Sequence, residues 1–143
     1  MKLVNPPVAL MFHEGAPRLL AAGLHIPALA SGDRDRVALE AYPGLLVRKQ
    51  LGIRQSYKSD TKADHTPARR AARRRIVTAL KAGKPLGARL IMEAKLERAM
   101  VAEGSADLLD AAICAVQAAW AAKRPGYGIP ADAPPAEGWI VSS

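Results

Sequence analysis

The stretch from 108 to 122 is apolar almost throughout and rich in Ala, broken only by Asp110 and Gln117. Ala has the highest helix propensity, and a helix apolar on every side is an enclosed one. The run falls short of the roughly 20 residues that a bilayer span needs, so it predicts a helix buried in a protein core, with no membrane partner. The remainder of the chain has the same bias. Of its 143 residues 50% are hydrophobic but only 4% aromatic, which favours helix over packed sheets. The expected fold class is α/β and helix-rich, and the length suits a single domain over 1–143. Collagen-like, disordered and disulfide-scaffold classes are excluded. Cys114 is the single cysteine and cannot form an internal disulfide. Nothing at the start has the pattern of a signal peptide, which gives a cytoplasmic location as the expectation.

The formal charge is +8, and its distribution is informative. Between Arg48 and Arg89 there are 13 basic and 2 acidic residues, a balance of +11, against −3 for the rest. A basic middle with mildly acidic flanks suits a polyanionic partner.

Along the chain, Asn5-Pro6-Pro7 places a first helix start near Pro6 or Pro7, and a second helix is expected over 17–22, with Pro17 at its start and Gly23 as its terminator. The alternation over 36–42, with Val37, Leu39 and Ala41 on one face, predicts the one strong strand. A short helix over 45–51 and a polar loop over 52–64 follow. Thr66 then caps, Pro67 opens, and a helix over 68–82 runs to Gly83. Further helices are expected over 88–101 and, capped by Ser105, over 106–122. Residues 125–143 form a Pro/Gly-rich tail in which 137–141 offers an edge strand or an irregular clasp. The total is one strong strand and about five helices, with no internal repeat.

On the last helix Asp107, Asp110, Cys114 and Gln117 share one narrow face. Burying a carboxylate without a partner costs several kcal/mol, and a hard divalent ion between Asp107 and Asp110 would remove that cost. The alternative is a macrodipole role for Asp107 and pairing with an Arg for Asp110. Glu40 falls within the expected strand, beside the Pro43-Gly44 break. Lys58, Lys62, Arg69, Arg70, Arg73, Arg74 and Arg75, with Lys81 and Lys84, form a block suited to phosphate backbone rather than base reading. His13, His25 and His65 lack zinc-site spacing. No Walker loop, Rossmann fingerprint or nucleophile elbow is present.

Asn5-Pro6-Pro7, Glu14-Gly15-Ala16-Pro17-Arg18, Glu40-Ala41-Tyr42-Pro43-Gly44, Ser56-Tyr57-Lys58-Ser59-Asp60-Thr61, Asp107-Leu108-Leu109-Asp110-Ala111-Ala112, Ala115-Val116-Gln117-Ala118-Ala119-Trp120 and Glu137-Gly138-Trp139-Ile140, in that order, resemble the domain-of-unknown-function family 429, whose members are regarded as predicted nucleases of RNase H-like fold. The resemblance implies a partial RNase H-like fold, lacking the first strands, since the C-terminal part of the family domain is what this chain matches. It implies a two-metal-ion nuclease using Mg²⁺ or Mn²⁺, with Glu40 as the later-strand ligand and Asp107 and Asp110 as the last-helix pair. The family's first-strand carboxylate has no counterpart, because residues 1–12 contain no acid. The chain therefore looks like a family domain without its opening hairpin, whose sheet a missing N-terminal segment or a homodimer mate would complete. Two functions follow as expectations: metal-dependent phosphodiester hydrolysis, or a non-catalytic nucleic-acid-binding or interaction module that uses the basic segment 48–89.

Overall fold

Proline opens three of the α-helices: α1 (Pro6–Ala21), α2 (Pro43–Leu51) and α3 (Pro67–Lys81). At a first helical position its missing N–H has no intrahelical partner to lose. Two more helices, α4 (Ala94–Ala102) and α5 (Asp107–Ala121), and a two-stranded parallel sheet of β1 (Leu24–His25) and β2 (Asp33–Val37) complete a helix-rich α/β chain. This computed structural model describes residues 6–134 and 138–142, with side chains from residue 9 onward. Among the described residues no helix is long and apolar enough to cross a membrane. The chain divides into two compact units: Met1–Glu40 with Ala131–Trp139, and Ala41–Pro130 with Ile140–Ser143.

In the first unit α1 is continuous where two helices were expected, and Pro17 lies inside it. Pro17 removes only the bond to the His13 carbonyl, and the helix ends at Ala21, with Gly23 two residues on in the left-handed region at φ 67°. The expected strand over 36–42 is displaced to Asp33–Val37. The reason is its pairing partner. Asp33 N–H donates to Gly23 O at 2.8 Å and Ala38 N–H to His25 O at 2.9 Å, so the backbone is engaged over 33–38. A Cβ on Gly32 would collide with the carbonyls of Gly23 and Leu24, which makes glycine a condition of this close approach.

The second unit holds the core. From α5, Leu109, Ala112, Ile113 and Val116 pack with Ala72, Ile76, Val77 and Leu80 of α3, Leu46 and Val47 of α2, and Met100 and Val101 of α4. Each fully buried Leu or Ile of this set contributes about 1.5–3 kcal/mol of gross hydrophobic stabilisation. Thr66 caps α3 as expected, its hydroxyl accepting from Arg69 N–H at 3.3 Å. The helix expected over 88–101 is instead α4 alone. Leu86 and Gly87 both adopt positive φ, and the chain then runs back along α3, Leu90 N–H reaching Leu80 O at 3.0 Å. Over 88–93 Ala88, Leu90 and Met92 pack against the core while Arg89, Ile91 and Glu93 are exposed, the period of an extended chain.

Ser105 does not cap α5. The N-cap is Ala106 at φ 63°; the Ser105 hydroxyl donates to Asp107 Oδ2 at 2.8 Å, and Glu103 Oε2 accepts from Leu108 N–H at 2.8 Å. Within the tail, Glu137 lies outside the described residues. Val141 and Ser142 form a clasp, held by buried Gln117, whose Nε2 donates to Val141 O and Ser142 Oγ, each at 3.0 Å.

Arg73, expected on a solvent face, is 2% exposed. Its Nε donates to Val101 O at 2.9 Å and its Nη1 to Tyr57 O at 2.7 Å. Arg73→Met keeps the length of the stem but strands both carbonyls, so it is expected to lower stability by about 2–4 kcal/mol. Arg75→Met, at an exposed position of the same helix, is expected to change stability by under about 0.5 kcal/mol. Urea unfolding of the two variants checks the contrast.

Candidate functional site

The loop between α2 and α3 carries Ser56 to Thr61 and is held from several sides. Arg73 grips the Tyr57 carbonyl, Ser59 N–H donates to Gly104 O at 3.1 Å, and the His65 ring lies over Gly104 with Nε2 2.8 Å from Ser59 O. A Cβ on Gly104 would sit inside that ring. The Arg69 guanidinium bonds Asp64 O at 2.7 Å and pairs with the Asp64 carboxylate at 3.7 Å. A loop so fixed presents its side chains with little freedom.

Two of them meet the first turn of α5. Tyr57 Oη donates to Asp110 Oδ1 at 2.6 Å, and Lys58 Nζ to Asp110 Oδ2. Asp110 is held at 18% side-chain exposure while Lys58 remains half exposed. Burial, then the hydrogen bond to Asp110, then its charge, push the Tyr57 phenol far above the ordinary tyrosine range. Tyr57 is therefore a neutral donor. Burial, followed by the Asp110 charge, also raises the Cys114 thiol, which makes it a poor nucleophile.

Of the residues expected to share a cation, Asp107 and Asp110 stand one turn apart on α5, and Glu40 belongs to the other unit. Glu40 lies beyond the end of β2 rather than within a strand. In its own unit it is exposed, at the edge of an apolar cavity of about 640 Å³ lined by Phe12, Leu19, Leu20 and Leu29. Mg²⁺ demands a near-octahedral set of oxygens. Both Asp110 oxygens are occupied by Tyr57 and Lys58, Asp107 is exposed and bonded to Ser105, and among the described residues no three His, Cys, Asp or Glu side chains gather as a metal site. The donors as folded do not fit a two-ion centre. Lys58 supplies the positive charge that Asp110 was expected to take from a metal ion.

The basic block divides by role. Arg73 is buried, which corrects its assignment as a phosphate contact; Arg69 and Lys58 are paired. Lys62, Arg70, Arg74 and Arg75 are exposed and take part in none of the ion pairs of the described residues. Arg74 and Arg75, with Lys84, Thr78 and Gln50, line a groove of about 560 Å³ between α2 and α3. The sequence alone did not single out Tyr57 as the partner of Asp110. Its only signal was a tyrosine in an otherwise polar loop.

The raised phenol fixes a pH dependence. Because Tyr57 holds its proton more tightly folded than unfolded, its contribution is fully present below about pH 10, the unfolded tyrosine range, and is lost as pH rises above it. Tyr57→Phe is expected to cost about 1.5–3 kcal/mol at neutral pH and to flatten the alkaline loss. Urea midpoints of the wild type and Tyr57→Phe across the alkaline range check both effects.

No curated protein and no solved structure matches the chain. A family model described as "Protein of unknown function (DUF429)" matches residues 15–135, spanning the Tyr57–Lys58 loop, the basic helix and the α5 aspartates. The chain belongs to that family.

Proposed function

We propose that the chain binds nucleic acid through its phosphate backbone, without base reading, by way of the exposed face of α3. The observation that carries this reading is the separation of roles within the Arg cluster. One member, Arg73, is spent on the core, while Arg70, Arg74 and Arg75 are exposed, and Arg74 and Arg75 line a groove with Lys84 and no carboxylate. Such a surface neutralises phosphates and releases their counterions. It positions a strand without specifying sequence, and aromatic residues that would stack bases are scarce in this segment. The expected outcome is a binding constant for a generic duplex that falls linearly with salt on logarithmic axes. Replacing Arg70, Arg74 and Arg75 by Ala should lower that slope by about 2–3, since each phosphate contact contributes close to one. A salt-independent affinity, or an unchanged slope in the triple variant, overturns the reading.

A second reading, metal-dependent hydrolysis of phosphodiesters with Mg²⁺ or Mn²⁺, is favoured by one observation: Asp107 and Asp110 stand one turn apart on α5, in motifs that resemble predicted nucleases; it requires Tyr57 and Lys58 to release Asp110 before an ion can bind. Its test is cleavage of single-stranded, duplex and branched substrates with each metal, wild type against Asp110→Asn. Metal-dependent cleavage by the wild type that the variant lacks supports it. Equal activity in the two removes it.

A further inference from the structure

The second unit contains another cavity, of about 300 Å³, formed by the start of α2 and the loop that follows it. Arg48, Arg54 and Lys58 line it, with Tyr42, Gln55 and Ser56 as neutral polar groups, and no carboxylate does. Arg48 and Arg54 take part in none of the ion pairs of the described residues. Three cationic side chains line one small concavity; Lys58 is paired with Asp110, and Arg48 and Arg54 gain from an anion beside them. The first turn of α2 adds to this field: it holds no acid, its N-cap Tyr42 makes no side-chain bond to it, and its Gly44 lines the same cavity.

We infer that this cavity is a binding site for a single phosphate group, held by Arg48, Arg54 and Lys58. Its size is at the small end of ligand cavities, with room for a phosphate and the group attached to it. Arginine forks match phosphate oxygens in pairs, and charge-assisted bonds of this kind are the strong ones. The site is distinct from the α3 groove, whose cations are Arg74, Arg75 and Lys84. In the kind of ligand it rests on the backbone-binding reading; its residues are different.

Lys58 links the cavity to the α5 aspartates. Its ammonium is bonded to Asp110 and lines the cavity as well, so Asp110 and a bound phosphate compete for one cation. The sign of one substitution follows. Asp110→Asn removes the competitor and a neighbouring negative charge, so phosphate binds more tightly in that variant.

The test is titration of inorganic phosphate into the full chain at low salt, followed by calorimetry and by amide chemical shifts. Arg48→Gln and Arg54→Gln, both at exposed positions, should each weaken binding by about tenfold, and Lys58→Gln by a similar factor. Asp110→Asn should tighten it by about threefold. Thermal melts of each variant establish that it is folded. Undiminished binding in both arginine variants overturns the assignment, as does loss of binding in Arg74→Ala with Arg75→Ala, which would put the phosphate in the α3 groove. Unchanged or weaker binding in Asp110→Asn overturns the sharing of Lys58. Comparing a 5′-phosphorylated oligonucleotide, its unphosphorylated form and a nucleoside monophosphate separates the sources. An advantage for the phosphorylated end that Arg54→Gln abolishes supports a strand terminus, and equal competition by the monophosphate supports a free nucleotide. The salt slope on an unphosphorylated duplex, measured with the α3 variants, reports the backbone-binding reading independently, so either can fail alone.

Discussion

A buried guanidinium organises the functional half of this protein. Arg73 projects from α3 into the core and has no carboxylate bonded to it; its bonds go to two backbone carbonyls, Val101 at the end of α4 and Tyr57 in the loop after α2. Burial lowers its affinity for a proton, and the nearby Arg70 charge adds to that effect. The arrangement suits arginine specifically. A rigid planar fork satisfies two acceptors in different directions from one anchored stem, whereas an ammonium concentrates its charge at one point and loses it more readily when buried. By fixing the Tyr57 backbone, Arg73 also fixes where the phenol points. The Asp110 cluster, and the cavity that shares Lys58, therefore depend on a residue that reaches them only through the Tyr57 backbone.

The Asp110 carboxylate shows what that positioning achieves. A partly buried carboxylate requires compensation, and here a neutral phenol donates to one oxygen and an ammonium to the other. The cost that led the sequence reading toward a metal ion is met by side chains from a loop more than fifty residues away in sequence. An ammonium is a mobile counter-charge on a flexible stem, and Lys58 stays half exposed. In the proposed site this lysine is the group that would turn toward an anion in the adjoining cavity. A rigidly coordinated cation at the same carboxylate would not have that freedom.

Local rules made most of the helices legible. Pro67 behind a capping Thr66 marked α3, the apolar run marked α5, and Gly83 marked a terminator. What stayed hidden were features decided by partners distant in sequence. Residues 88–93 carry enough apolar side chains to suggest a helix, but the left-handed turn at Leu86 and Gly87 and the bond from Leu90 to Leu80 lay the segment down as extended chain, and only then does its period-two burial appear. The strand moved from 36–42 to Asp33–Val37 because the Gly23 and His25 carbonyls determine which residues can pair. Arg73 was indistinguishable from Arg74 and Arg75 by type, and its burial depends on carbonyl partners distant in sequence, Val101 and Tyr57. Spacing alone placed Asp107 and Asp110 one turn apart on a helix; that Tyr57 and Lys58 bond Asp110 while Asp107 stays outside the cluster was not legible, because no local pattern encodes a contact across that distance.

Two segments singled out by motif, Ser56 to Thr61 and Asp107 to Ala112, meet in space at Tyr57, Lys58 and Asp110. Stability alone gives a weak reason for that meeting. A loop can be anchored by backbone bonds, as this one is at Ser59 and Tyr57, and an aspartate in the first turn of a helix is already favoured by the macrodipole. Replacing a buried polar cluster by apolar residues of similar volume is often neutral or stabilising. A carboxylate, a phenol and a half-exposed ammonium in contact, beside a cavity lined by two further arginines, are the groups on which the proposed phosphate site rests. Arg74, Arg75 and Lys84 line a second groove, so cationic side chains line two concave surfaces of one unit, and a polyanion engaging both would meet Lys58 beside Asp110 at one of them.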